Sequence, residues 1–359
     1  MNPLFVSCSF SLLLTYSLTA SPNALQTNLF SWRGPFQTGV SPELYADWAF
    51  EGEKSLAWTY QVSGRGCPVI ADGNLYSFGY NGDAEGAEQR IILTCLDATS
   101  GALQWEHRFN DFISDVVYSR YGTGSPGIDP ETQQVYLLTA TGLFSCFDHA
   151  GKMLWQHSMM ETFGRLTFPN GRTGAPVIDG DLVIVRGVTS FWGNQGPARD
   201  RFYAFDKHTG EPVWSSEPGL APKDTSFSTP VFEDRDGQRV FYAGTGCGHV
   251  VCVNGRTGQP LWRFQLADGG VNSSLSIHEP TDTLLCVHGA ENLDTSDEGR
   301  MIALRLPKTL NGPGKDPVIL TKDAEVWRNP VNVFTSSPTL VGDRVYALDK
   351  TGNLVCVNA

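Results

Sequence analysis

The chain has 359 residues, a formal net charge of −12, 38 glycines and 21 prolines. Such a length holds two ordinary domains or one large all-β domain, and the glycine and proline content suits short strands joined by turns rather than long helices. The acidic balance, with no basic cluster, excludes a nucleic-acid backbone as the main partner.

Residues 1–20, MNPLFVSCSFSLLLTYSLTA, form an uncharged apolar stretch that ends on small residues. They read as a secretory signal peptide cleaved at or shortly after Ala20, in spite of an n-region without Lys or Arg. Serines and threonines interrupt the run, which is short for a membrane span, and nothing later is long and apolar enough to cross a bilayer. The expectation is therefore an exported protein, periplasmic or secreted, with no membrane span after signal removal. A leader follows over residues 21–55, and a repeating unit occupies 56–359.

Two marks give the period. Trp58, Trp105, Trp155, Trp214, Trp262 and Trp327 each close a strand-like run. Cys67, Ser125, Ala175, Thr229 and Ser337 each precede a proline that opens one, and Ser274 holds the same place without the proline. Between the marks lie two more strand-like runs, such as VYLLTA and LFSCFD, so each unit has four short antiparallel strands. A period of about 40 to 50 residues with four strands per unit predicts the blades of a β-propeller. Proline suits the start of a blade's innermost strand, where a missing donor costs least. The tryptophans are expected to pack between adjacent blades. Cys95, Cys146, Cys252 and Cys356 hold one equivalent place, and residues so related lie too far apart for disulfides, so they are expected to be small core residues.

CLDATSGALQW, AFDKHTGEPVW and CVNGRTGQPLW share a pattern, (A/C)xDxxTGxxxW, that resembles the quinoprotein-type, or PQQ-like, β-propellers over residues 56–359. Departures are Asn254 for the Asp, His149-Ala150 where the Thr is lost, and the unit around Ala303, which has neither mark. The leader SWRGPFQTGVS, from Ser31, is similar to the segment before the ring in a bacterial exported subgroup. The resemblance implies about eight blades, of which about six are represented. Residues 56–61 are expected either to complete a sixth blade or to belong to a larger ring cut short at the C-terminus; the second is favoured.

The middle hairpins are long in the first, third and fifth units (YNGDAEGAEQR, GVTSFWGNQGPARDR, GAENLDTSDEGR), which predicts a raised crown on alternate blades. GTGSPG, with Gly122, Gly124 and Gly127, leads into a proline-opened strand and reads as a turn, not a dinucleotide fingerprint. Asp234 and Asp236 of EDRDGQ read as a hairpin turn, not a calcium loop. His107, His149, His157, His208, His249, His278 and His288 show no close metal-ligand spacing, and most are expected at the surface or satisfied in the core. No cysteine is marked as a nucleophile by its local sequence.

Within the resembled family, quinone-dependent dehydrogenases are known for an adjacent Cys-Cys pair, a calcium held by acidic and amide side chains, and an Asp base; this sequence has no adjacent Cys-Cys pair and no CxxCH haem signature. The best-known non-enzymatic relative by fold is a lipoprotein of outer-membrane assembly, but LFVSC ends at Cys8, too near the start for a lipobox. The function expected is an exported non-enzymatic binding or assembly scaffold with no cofactor, the alternative being a dehydrogenase holding PQQ with calcium. A polar site is expected at the channel mouth, in the loops leading to innermost strands, at Arg120, Tyr121, Arg165, Arg172 and Asn272. Arginines there would bind a carboxylate or an acidic glycan, or a protein partner carrying one; alternatively they pair with Asp115 and Glu161.

Overall fold

The repeated Asp builds a turn by binding its own backbone. The Asp97 carboxylate accepts the N–H groups of Thr99 and Ser100 and the Ser100 hydroxyl, and Asp206 does the same with His208 and Thr209. The Ser100 and Thr209 hydrogen bonds hold the two carboxyls below the ordinary carboxylate range. Asn254 keeps the same turn by accepting the N–H groups of Arg256 and Thr257, so the departure from Asp costs the charge and not the geometry.

The computed structural model describes residues 28–34, 37–40, 52, 56–81, 90–109, 124–163, 174–189 and 198–359. These turns connect the third and fourth strands of antiparallel sheets, each ordered as in the sequence. The first sheet holds β1 (Val69–Ala71), β2 (Asn74–Asn81), β3 (Arg90–Asp97) and β4 (Leu103–Phe109). The second holds β5 (Gly127–Ile128), β6 (Val135–Leu138), β7 (Leu143–Phe147) and β8 (Met153–Ser158), and the third β9 (Val177–Asp179), β10 (Leu182–Thr189), β11 (Arg199–Asp206) and β12 (Pro212–Ser216). The fourth comprises β13 (Val231–Arg235), β14 (Gln238–Gly244), β15 (His249–Asn254) and β16 (Pro260–Gln265), with β20 (Val318–Leu320) added parallel to β16. The fifth comprises β17 (Ser276–His278), β18 (Thr283–Glu291), β19 (Glu298–Arg305) and β21 (Glu325–Asn329). The sixth has three strands, β22 (Thr339–Val341), β23 (Arg344–Leu348) and β24 (Leu354–Asn358). This is the all-β architecture of four-stranded propeller blades that the repeat predicts.

The prolines stand where expected, immediately before β1, β5, β9, β13 and β22. Asp72-Gly73 and Asp236-Gly237, all with positive φ, make the tight first hairpins of their sheets, so EDRDGQ is a turn.

Hydrophobic clusters lie between sheets rather than within them. One joins Tyr76, Leu93 and Cys95 to Val135 and Phe147; the next joins Phe144 and Cys146 to Val185 and Phe205; later ones join the third sheet to the fourth, the fourth to the fifth and the fifth to the sixth. A single sheet cannot bury both faces, so burial of this kind depends on stacking neighbours.

Trp58, Trp105, Trp155 and Trp214 dock on the turn of the following sheet. The Trp105 indole N–H donates to the His149 carbonyl (3.0 Å) and that of Trp155 to the Lys207 carbonyl (3.3 Å). The ring lies against a turn glycine: Gly101, Gly151, Gly210 and Gly258 have φ of +70°, +83°, +74° and +73°, and a Cβ there would sit 2.5–2.7 Å from Trp58, Trp105, Trp155 and Trp214. Glycine is needed twice, for the left-handed backbone and for the space. Across each sheet the same tryptophans face a small residue: Cys95 opposes Trp105, Cys146 Trp155, Ala204 Trp214, Cys252 Trp262 and Ala303 Trp327. That placement explains the recurrent cysteine, which is buried at three of its four places. Cys356 departs from the expectation of a core residue: among the described residues no fourth strand pairs with β24 to cover it, and it is exposed.

Trp58 behaves as a docking tryptophan, its indole N–H donating to the Ala98 carbonyl (3.1 Å), but residues 56–61 form no strand and, among the described residues, β24 pairs with β23 alone. The unit around Ala303 lacks the turn mark because its third-to-fourth connection leaves the sheet: residues 306–324 supply β20, and Leu306 and Leu310 join the cluster that buries Trp262 to 1% exposure. The crown expected on the fifth sheet is present as the β18–β19 hairpin, which ends in an Asp294 bridge to Arg300, Lys322 and Arg328; the tips in the first and third units lie outside the described residues.

Ion pairs add to the seams. Lys207 meets Asp129 at 2.9 Å, both at most 3% exposed, and Arg239 meets Asp179 at 2.7 Å. Arg186 is paired with Asp200 in the third sheet and donates to Ser226 Oγ (2.7 Å) and the Gly244 carbonyl (2.9 Å) of the fourth. Buried charges of this kind hold only when paired; Asp179 Oδ2, which has no hydrogen bond, lies 3.1 Å from Arg256.

Gly210→Ala should lower stability by about 2–5 kcal/mol, from about 1–2 for left-handed backbone and about 1–3 for overpacking. Gly237→Ala, also at positive φ but with nothing within 4 Å, should lose the backbone part alone. Chemical denaturation of the two variants checks the difference; equal losses would contradict the docking role.

Candidate functional site

The first strands of neighbouring sheets run side by side around an axis, and the residues just before them are stitched together. The Cys67 N–H donates to Ser125 Oγ (2.9 Å), the Thr229 N–H to Ser274 Oγ (2.8 Å) and the Ser274 N–H to Ser337 Oγ (2.8 Å). Ser125, Ser274 and Ser337 thus each accept the backbone N–H of the equivalent residue in the preceding sheet, and the lead-in loops converge.

The leader crosses this axis. Leu29 exchanges two backbone hydrogen bonds with Ile70 of β1, and the Phe30 carbonyl accepts the Ile128 N–H of β5. The Gln37 side chain clasps β13, donating to the Pro230 carbonyl (2.9 Å) and accepting the Phe232 N–H (3.2 Å). Arg33 donates to the carbonyls of Leu275 (3.0 Å) and Pro338 (2.6 Å) and to Ser276 Oγ (3.1 Å), tying the fifth sheet to the sixth. One leader segment therefore touches the first strands of five sheets and separates two cavities. Phe30, Ser31 and Gln37 line one with Asp179 and Arg239, and Trp32 lines the other.

The second cavity is the channel mouth. It holds about 340 Å³ and is lined by Trp32 together with lead-in residues of all six sheets, among them Arg65, Ser125, Ala175, Thr229, Asn272 and Thr335. Of the residues expected here, Asn272 lines the cavity; it is 6% exposed and its Oδ1 has no hydrogen-bond partner. Arg120, Tyr121, Arg165 and Arg172 lie outside the described residues. Sequence reasoning missed Arg65, Phe227 and Thr335, although each stands two residues before the stitched position, in register with Asn272. It also missed Trp32 and the half-exposed Phe334.

Among the described residues the lining is mixed, with aromatic side chains, an arginine, hydroxyl-bearing residues and an asparagine. Calcium takes six to eight oxygen ligands with carboxylates among them. The described lining offers no carboxylate, so these residues do not fit a calcium-held quinone. Among the described residues no group of three or more His, Cys, Asp or Glu is arranged to hold a metal.

A second polar cluster lies in the β14–β15 turn. Cys247 Sγ shares hydrogen bonds with His249 Nδ1 (3.2 Å) and Thr245 Oγ1 (3.1 Å) and accepts the Leu220 N–H (3.2 Å). Burial pushes this thiol up, but the His249, Thr245 and Leu220 bonds outweigh it and bring it down to about 7. In the second sheet the same turn carries Thr141 and Leu143, with Thr139 Oγ1 3.1 Å from Thr141 Oγ1, so the turn itself requires neither the thiol nor the imidazole. His249 and His278 are buried and hydrogen-bonded. His288 is buried with both ring nitrogens lacking a partner, and burial, with the Arg300 charge, lowers it to about 4.

The family model described as "Outer membrane protein assembly factor BamB" matches residues 48–187 and 88–358. Among solved structures, quinohemoprotein alcohol dehydrogenase ADHIIG from Pseudomonas putida HK5 is similar with a TM-score of 0.56 at 15% identity, over 82% of this chain and 57% of that one. The quinohemoprotein alcohol dehydrogenase from Comamonas testosteroni gives 0.51 at 15% identity, over 94% and 50%. BamB from Moraxella catarrhalis gives 0.44 at 18% identity, over 83% and 96%. The chain thus spans about half the length of the two dehydrogenases, and at these identities the likeness is one of fold. No curated protein sequence matches it.

Alkylation of Cys247 in the native chain should be half-maximal near pH 7, and His249→Leu, which copies the second sheet, should move the half-maximum upward by a unit or more. Mass-spectrometric mapping of labelled thiols across pH checks this; an unchanged profile would contradict the role of the imidazole.

Proposed function

Because the chain belongs to the PQQ-like propeller family whose model is described as the outer membrane protein assembly factor BamB, we propose that it is an exported, non-enzymatic binding scaffold of the cell envelope. Its binding site is the axial mouth. The observation that carries this reading is the way the leader sits across the axis. Pinned by Arg33 and Gln37, it turns the ring's centre into a recess, with Trp32 on one side and a lining drawn from every sheet. Aromatic side chains and arginine in a partly desolvated recess are the composition of binding hot spots.

The scaffold around the mouth is stiff, because stitched lead-in residues and docked tryptophans fix its lining from several directions. A preformed recess loses little ordering entropy on binding, which suits recognition of a partner or ligand. No helix among the described residues is long and apolar enough to cross a membrane. Export follows the uncharged apolar stretch at residues 1–20. The fold is shared with quinohemoprotein alcohol dehydrogenases, but fold alone does not carry activity.

A photo-crosslinking side chain in place of Phe334 should yield an adduct of discrete mass in the envelope, and the same group in place of Leu154 on the outer strand β8 should not. The purified chain given PQQ, calcium and an alcohol or sugar should reduce no dye above background. Adducts from both positions alike, or dye reduction that depends on PQQ, would contradict the proposal.

A further inference from the structure

The first, second and fourth sheets repeat one arrangement of three side chains. Tyr76 stands opposite Cys95 and Cys95 opposite Trp105; Tyr136, Cys146 and Trp155 do the same in the second sheet, and Tyr242, Cys252 and Trp262 in the fourth. The outer-strand indole lies against the tyrosine, with ring centroids 5.8, 5.9 and 5.5 Å apart, and the tyrosine and cysteine are buried in all three.

The sixth sheet has the tyrosine and the cysteine without the indole. Tyr346 of β23 stands opposite Cys356 of β24, and among the described residues no strand pairs with the outer edge of β24. The face they share is open: Cys356 is exposed, Leu348 is 50% exposed and Leu354 71%. VYALDKTGNLVCVN of this sheet aligns without a gap to VYLLTATGLFSCFD of the second, so Leu348 and Leu354 stand where Leu138 and Phe144 are buried, the Phe144 ring 5.1 Å from that of Trp155. On the other face Val355 and Val357 pack against the cluster shared with the fifth sheet, so β24 is held in place. Its sequence, LVCVN, has no charge and no proline of the kind that blunts an edge strand.

The other sheets define what fits: an extended segment antiparallel to β24, with an indole opposite Cys356. The described tryptophans of the chain are committed elsewhere, Trp58, Trp105, Trp155 and Trp214 to turn glycines, Trp262 and Trp327 to hydrophobic clusters, and Trp32 to the axial mouth. A second copy has the same tryptophans committed in the same way, which points to a different protein as the source.

We propose that β24 is a strand-addition site, at which an extended segment of a partner protein pairs as the fourth strand of the sixth sheet and seats a tryptophan against Tyr346, Leu354 and Cys356. Main-chain hydrogen bonds along the edge give affinity, and the indole gives specificity. None of these residues lines the axial mouth, so the site stands or falls apart from the reading of that mouth.

The probe is a peptide with the sequence of residues 152–158, KMLWQHS, which carries β8 and its tryptophan. Titrated into the full chain, it should bind saturably in the micromolar-to-millimolar range, and the Trp155→Ala form of the peptide should bind at least about ten-fold more weakly. Cys356→Arg in the chain should weaken binding as much; the residue is exposed, so this variant is expected to fold. Bound peptide should shield Cys356 from a maleimide and leave Cys67, which is also exposed, reactive. No saturable binding, or binding indifferent to both substitutions, overturns the inference. Cys356 unreactive before any peptide is added overturns it too, in a monomer because a segment of the chain itself fills the place, and in a dimer because a second copy does.

Discussion

The seams of the first four sheets depend on a flat indole pressed against a left-handed glycine in the next sheet. The Asp carboxylate shapes the turn, the glycine clears the space, and the preceding tryptophan fills it while donating to a turn carbonyl. None of the three has a use without the others, which is why Asp, Thr-Gly and Trp return together along the chain. The cross-strand neighbour of the tryptophan must then be small, and cysteine or alanine meets that need. An apolar seam follows behind each docked ring, so the protein's core is a series of interfaces rather than one centre.

Stacked sheets leave an axis, and what occupies it decides whether the protein has a channel or a recess. Here the leader lies across it, hydrogen-bonded to first strands from opposite parts of the ring, and the half-buried Arg33 serves as the clamp. The mouth's lining consists of the loop ends that the hydroxyl stitching holds in place. Stability and recognition therefore draw on the same positions: Ser125 and Thr229 both bind neighbouring blades and line the cavity.

Much of the architecture was legible because the repeat is local. Alternating apolar runs, a proline before each first strand and a tryptophan in each last one are signals within one unit, and the strands fall where those signals stand. The channel mouth, and Asn272 in it, followed from the register of the lead-in loops. Long-range features were not legible. Arg33 reaches Leu275 and Pro338 across most of the chain, and nothing around SWRGP announces those partners. The excursion after Leu304 that becomes β20 showed in sequence only as a missing motif, because a parallel edge strand has no turn of its own to mark it. The Cys247–His249 pair hid inside a turn whose other copies use threonine and leucine. An unpartnered amide oxygen cannot be read from a sequence, since it is a property of what surrounds Asn272 in space.

The most direct test of the docking constraint is hydrogen exchange at the indole nitrogens, followed by NMR with labelled tryptophan. Trp58, Trp105 and Trp155 donate across the seams, so their indole protons should exchange slowly and together, on the timescale of sheet separation rather than of side-chain motion. Exchange of these protons as fast as in a free indole would mean that the tryptophans do not join the sheets.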